Sequence, residues 1–167
     1  MDLLDIKSRI AVALVESIFR RAGFVLAPAS GEAGGPARQG REALIPDFAA
    51  IRLGGSPSAP ASAARTVEVR YRPQVAQYLA IETQRAAQSV FALAKRQWPG
   101  LVVVFVTDHP EAGRCCFQAV DLEGWSLGAA LTPTDLFAHE GLAIYPQNVE
   151  EHEVLLRRMF ALLTGLA

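Results

Sequence analysis

Thr66-Val67-Glu68-Val69-Arg70-Tyr71 alternates with a period of two, and the reading of this stretch decides the fold. Residues two apart on an extended strand share a face. Glu68 and Arg70 therefore project together, while Val67, Val69 and Tyr71 turn to the opposite side. Downstream, Leu101-Val102-Val103-Val104-Phe105-Val106 has no polar alternation at all. A strand of that kind is covered on both faces, as in the centre of a layered α/β sheet. Between the two strands, Pro73 ends the first, and a helix is predicted with Leu79, Ala86, Val90 and Leu93 as its buried stripe. Trp98-Pro99-Gly100 breaks that helix.

Working upstream, Glu42 to Leu53 reads as a strand whose core residues are Leu44, Phe48 and Ile51, with Pro46-Asp47 interrupting its middle. It is expected to pair with the Thr66 strand as a hairpin. The tip, about residues 54–64, is rich in Gly, Ser, Pro and Ala, a composition of flexible linkers. A second such stretch, about residues 30–40, reads as a loop. Phe24 to Pro28 suits a short strand, and Leu3 to Arg21 an amphipathic helix with Leu3, Ile6, Ile10, Leu14 and Ile18 on one stripe, stopped by Gly23. Downstream, Cys115 to Val120 offers a further strand. Glu151 to Leu163 offers a last helix, with Val154, Leu155, Met159 and Leu162 inward. The expected fold is α/β: a mixed central sheet flanked by helices, ordered α-β-β-β-α-β and followed by an extra strand and a C-terminal helix. All 167 residues are read as one domain, since 51% hydrophobic residues suffice for one substantial core.

The net charge of −1 excludes a strongly basic nucleic-acid coat protein, because affinity for phosphates comes largely from Lys and Arg. Any contact with DNA must be local, through Arg38, Arg41, Arg65, Arg70 and Arg72; the alternative is that these arginines are spread over a solvated surface. The first residues carry Asp2 and Asp5 where a secretory signal would carry only positive charge. No segment approaches the roughly 20 apolar residues of a membrane span, so a cytoplasmic location and no membrane partner are expected. Cys115 and Cys116 are adjacent and point to opposite faces of a strand, which disfavours a disulfide between them. They are expected to pack beside Phe117 in a reducing compartment.

Pro46-Asp47 on one strand, followed roughly twenty residues later by Glu68-Val69-Arg70 on the next, resembles the Pro-Asp … (Asp/Glu)-x-Lys signature of the restriction-endonuclease-like PD-(D/E)xK superfamily. The resemblance covers about residues 1–120 and includes the order of elements. It implies a restriction-endonuclease-like core and a Mg²⁺- or Mn²⁺-dependent nuclease that hydrolyses phosphodiester bonds in DNA. Asp47 and Glu68 would hold the metal, and Arg70 would take the place of the lysine that orients the attacking water. Converging carboxylates suit a hard divalent ion, which prefers oxygen ligands. Arg70 departs from the pattern: a guanidinium stays protonated at any working pH, so it can stabilise an anion but cannot act as a base.

Two readings of these residues stand side by side. In one the site is a live metal centre; in the other Asp47–Arg70 or Glu68–Arg72 is a cross-strand ion pair with no metal. Accordingly, the chain is either a nuclease or a catalytically inactive nuclease-fold module that binds a protein partner or nucleic acid. A homodimer is a further expectation of the resemblance. Glu16, on the first helix, is either an extra acid near the metal or the partner of Arg20 four residues on. Gln84 and Gln88 either support the site or lie on a solvated helix face. Asp108-His109 follows the buried strand, where sites gather in α/β folds, but the reading preferred for it is a cap or loop role. Asp135, His139 and His152 show no ligand spacing and read as surface residues. No GxxxxGK[ST] or GxSxG occurs, so neither a P-loop nor a nucleophile elbow is supported.

Overall fold

A computed structural model describes residues 2–29, 43–52 and 64–165. The expected loops, about 30–40 and 54–64, lie outside the described residues apart from Ala64, as do Arg38 and Arg41. The described chain is α/β, a six-stranded mixed sheet flanked by helices. Helix α1 (Leu3–Arg21) leads into β1 (Phe24–Pro28), β2 (Phe48–Arg52) and β3 (Arg65–Tyr71). Helices α2 (Val75–Arg85) and α3 (Val90–Gln97) follow, then β4 (Leu101–Val106), β5 (Phe117–Asp121), a short β6 (Thr134–Asp135) and α4 (Pro146–Gly165). The spatial order is β1-β2-β3-β4-β5-β6, with β3 and β4 parallel and every other pairing antiparallel. The parallel pair needs a crossover, which α2 and α3 supply.

The period-two reading of β3 holds. Val67, Val69 and Tyr71 pack with α1 and α4 on one face of the sheet. Glu68 and Arg70 take the other, the side on which Val75, Leu79, Phe91 and Ala94 of α2 and α3 cover Leu101, Val103 and Phe105 of β4. All six residues of β4 are buried, as expected of a strand covered on both sides. Gly23, at φ +88°, provides the left-handed turn between α1 and β1.

Four expectations about the helices and strands are corrected. β2 begins at Phe48 and not at Glu42, because Pro46 has no N–H for a ladder; Asp47 stands just before the strand, its N–H donating to Val67 O (2.8 Å). The helix after Pro73 is broken in two: Ala86 adopts φ +46°, and the buried residues are Val75, Leu79, Phe91, Ala92 and Ala94, while Ala86 and Leu93 face outward. The break is built by Glu82, 2% exposed, whose carboxylate accepts from Ser89 Oγ and Val90 N–H (both 3.0 Å) and so caps α3. On α1 the buried face is turned to Lys7, Ala11, Leu14, Val15, Ile18 and Phe19, leaving Ile6 and Ile10 at its margin. On α4 the inward face is Val149, His152, Leu156 and Phe160; Val154, Leu155 and Leu162 are exposed.

His152 and His139 are not the surface residues expected of them. His152 is buried, with Nε2 2.8 Å from Ser17 Oγ, and burial together with nearby Arg21 holds it below its ordinary value. The His139 ring lies 3.3 Å from Asp121 Oδ2, in a cluster that also ties Arg65 to Asp121 and Glu123. Asp135 accepts from Arg114 Nε (2.9 Å) and Cys115 N–H (3.1 Å). Cys115 and Cys116 are free and buried, and burial pushes both thiols up to about 12.

Candidate functional site

β2 pairs with β3 only from Phe48 to Ala50, opposite Val67 to Arg65. Before Phe48 the chain leaves the sheet, and the Glu68–Tyr71 half of β3 loses its neighbour strand on that side. A cleft of about 830 Å³ opens there. Asp47, Glu68 and Arg70 all line it, together with Leu4, Ser8 and Arg9 of α1 and Tyr78 of α2. Asp47 reaches the cleft because the strand starts one residue later: its main-chain N–H extends the ladder by one bond, and its side chain substitutes for the missing strand. Asp47 Oδ2 accepts the N–H of Val69 at 2.8 Å.

Glu68 is 5% exposed and Arg70 stands beside it on the same face of β3, Nε donating to Glu68 Oε1 at 2.8 Å. Arg70 also donates to the carbonyl of Ala43, which ties the segment before β2 to the strand. The geometry therefore contains an ion pair within β3, Glu68–Arg70, where the sequence reading offered Asp47–Arg70 or Glu68–Arg72. Arg72 instead donates to Tyr71 O (3.0 Å) and lays its guanidinium over the Tyr78 ring, 4.6 Å from the centroid. The Tyr78 hydroxyl is buried and has no hydrogen-bond partner among the described residues. Burial raises its pKa, partly offset by the charge of Arg72.

Asp47 and Glu68, which share the cleft with Asp5 of α1, supply the oxygen donors that Mg²⁺ or Mn²⁺ takes, and a carboxylate accepts several bonds at once, so their hydrogen bonds are compatible with ligation. Among the described residues no group of three or more His, Cys, Asp or Glu side chains forms a cage. Mg²⁺ commonly uses one or two carboxylates and retains water for exchange with phosphate oxygens. The residues present therefore fit such an ion, with the positive charge of Arg70 already placed against one of the two ligands.

Glu16 and Gln84 are not among the residues that line the cleft. Glu16 pairs with Arg20 (3.2 Å), and Gln84 and Gln88 are exposed. His109 is exposed as well.

A polar cluster that the sequence reading missed lies behind the site. Lys7 is buried on α1, and its Nζ donates to Asp108 Oδ2 (2.7 Å) and Tyr71 Oη (3.2 Å). Tyr71 donates in turn to Asp108 Oδ1 (2.8 Å). The ammonium also sits over the rings of Phe160 and Tyr71, 4.8 and 5.1 Å from their centroids. Burial opposes both charges, but the hydrogen bonds outweigh it, so that Lys7 titrates above and Asp108 below its ordinary value. The signal was the spacing Leu3, Lys7, Ile10, Leu14, which puts a lysine on the apolar stripe.

Comparison with protein-family models, with curated proteins and with solved structures finds no match. No described helix is long and apolar enough to cross a membrane.

Proposed function

We propose that the chain is a restriction-endonuclease-like PD-(D/E)xK domain whose cleft takes a phosphodiester of DNA, with Asp47 and Glu68 as ligands for Mg²⁺ or Mn²⁺. The observation that carries this reading is the convergence of Asp47, Glu68 and Arg70 on one cleft at the place where β2 parts from β3. The element order α1-β1-β2-β3-α2/α3-β4 supports it. A bound divalent ion supplies an activated water and neutralises charge on the phosphate. The chain's own residues orient the reactants. Val69 N–H fixes the Asp47 carboxylate, Arg70 Nε fixes Glu68, and Arg70 together with Arg9 offers positive charge to phosphate oxygens.

A second reading keeps the cleft and drops the chemistry: a catalytically inactive module that binds nucleic acid or a protein partner. It is favoured by the Glu68–Arg70 pair, which neutralises a metal ligand from within the chain, and by the inability of a guanidinium to act as a base. Thermal unfolding with and without Mg²⁺ or Mn²⁺ separates the two. Under the nuclease reading the ion raises the melting temperature, since it binds only the folded state. Asp47→Asn removes that rise while retaining an acceptor for Val69 N–H; Asp47→Ala would confound it by orphaning that N–H. Native protein is expected to cut DNA weakly and Arg70→Lys to cut it faster. No stabilisation by either ion, with no cleavage by native protein or Arg70→Lys, overturns the nuclease reading and leaves the binding module.

A further inference from the structure

The outward face of α4 carries more apolar surface than a solvated helix needs. Val154 is 51% exposed, Leu155 46% and Leu162 70%, all on the helix that was expected to turn them inward. The core-facing residues Val149, His152, Leu156 and Phe160 already secure α4 to the sheet and α1, so the exposed row has no part in holding the helix down. From Val154 to Leu162 the row spans about 12 Å along the helix.

Its charges are arranged by halves. The acids Glu150, Glu151 and Glu153 lie before Val154, and the bases Arg157 and Arg158 lie after Leu156. Glu151 is paired to Arg21 and Glu153 to Arg157. Glu150 and Arg158 are exposed, and among the described residues neither has an ion-pair partner. Glu150, Val154 and Arg158 are spaced four apart, which puts acid, apolar centre and base in one line along the face. A line with that order is complementary to itself when reversed.

We propose that this face is a self-association surface, on which α4 of a second copy of the chain packs antiparallel about a two-fold axis at Val154. The register is then fixed. Val154 meets its own symmetry mate, Leu155 packs alongside, and Glu150 of each copy faces Arg158 of the other. Leu162 is brought to the foot of the opposing helix, where Tyr145 is 56% exposed. The contact is isologous and closes as a dimer. One helix face is small beside the roughly 800 Å² per partner of a standard interface, so the dimer is concentration-dependent. Salt weakens it through the Glu150–Arg158 pairs.

Sedimentation velocity on the full chain over a range of concentrations and salt tests this surface. Val154→Glu abolishes the dimer. Because the interface is two-fold, Glu150→Arg or Arg158→Glu alone creates two like-charge contacts and weakens it by about tenfold or more. The double variant Glu150→Arg/Arg158→Glu restores it, an outcome that only reciprocal pairing produces. Val154→Cys cross-links to itself under mild oxidation, whereas Ala161→Cys does not, since residue 161 faces residue 147 of the other copy. Cys115 and Cys116 are buried and give no background. A protein that is monomeric at every concentration, a dimer indifferent to Val154→Glu, a double variant no better than the singles, or self-cross-linking at position 161 in place of 154 would each overturn the proposal.

Discussion

Two polar clusters are built on successive residues of β3 and point to opposite sides of the sheet. Arg70 turns with Glu68 toward the cleft; Tyr71 turns toward α1, where it meets Lys7 and Asp108. Each combines an acid and a base at hydrogen-bond distance, and their surroundings separate them. The Lys7 cluster lies under α1 and the Phe160 ring, with Tyr71 alone of its members bordering the cleft, and each of its three members bonds both of the others. The Glu68 cluster borders a cleft of about 830 Å³ alongside Asp47 and a tyrosine hydroxyl that has no hydrogen-bond partner among the described residues. An ion pair alone therefore does not mark a site. What marks it is an ion pair left next to space that a ligand can enter.

Breaking the closed cluster should have the largest effect. Lys7→Met leaves Asp108 as a buried unpaired charge, and a loss of about 3 kcal/mol is expected in urea unfolding. A loss under about 1 kcal/mol, the usual ceiling for an exposed pair, would show that water reaches the cluster after all. Acid sharpens the same point. The folded pKa of Asp108 is depressed, so its contribution is present above its unfolded value near 3.8 and is lost as pH falls through the lower folded value. In Lys7→Met that protonation relieves the unpaired charge. The deficit relative to native protein should thus shrink below about pH 4 when the unfolding series is repeated at acid pH. On the alkaline side the sign reverses: the Lys7 contribution is complete below 10.5 and is lost as pH rises through its raised folded value.

At the cleft the Glu68–Arg70 pair is as buried as Lys7–Asp108, but the substitutions that test it keep an oxygen acceptor in place, so the stability effects should be smaller and the functional ones larger. Glu68→Gln removes the charge opposite Arg70, which keeps its bond to the Ala43 carbonyl, and about 1 kcal/mol is expected. A loss as great as that of Lys7→Met would erase the distinction between the clusters. Asp47→Asn should be the mildest, within about 0.5 kcal/mol in metal-free buffer, because its amide oxygen can still accept from Val69. Under the proposed function the same variant loses all stabilisation by Mg²⁺ or Mn²⁺, a result read from the two melting curves.

Much of the β scaffold was legible because strand patterning is local. The alternation of Thr66–Tyr71 gave both faces of β3, and the unbroken apolar run of Leu101–Val106 gave a strand covered on both sides. Asp47, Glu68 and Arg70 were legible as a group, since the pairing of β2 with β3 follows from adjacency in the chain. Helix faces were read less well. On α4 the row Val154, Leu155, Met159, Leu162 and the row Val149, His152, Leu156, Phe160 have comparable periodicity, and the first contains more obvious hydrophobes. The second is buried because the helix starts at Pro146 and lies across α1, where Ser17 receives His152.

By itself the sequence determined where strands run, which way the β3 side chains alternate and which acids share a hairpin, because these depend on sterics and hydrophobicity within a few residues. Only the tertiary structure decided that Lys7 is buried: it takes Asp108, 101 residues away along the chain, to make an interior ammonium stable. It likewise decided which stripe of α4 faces inward. Each of these depends on what residues remote in sequence place opposite one another, and no local pattern encodes that.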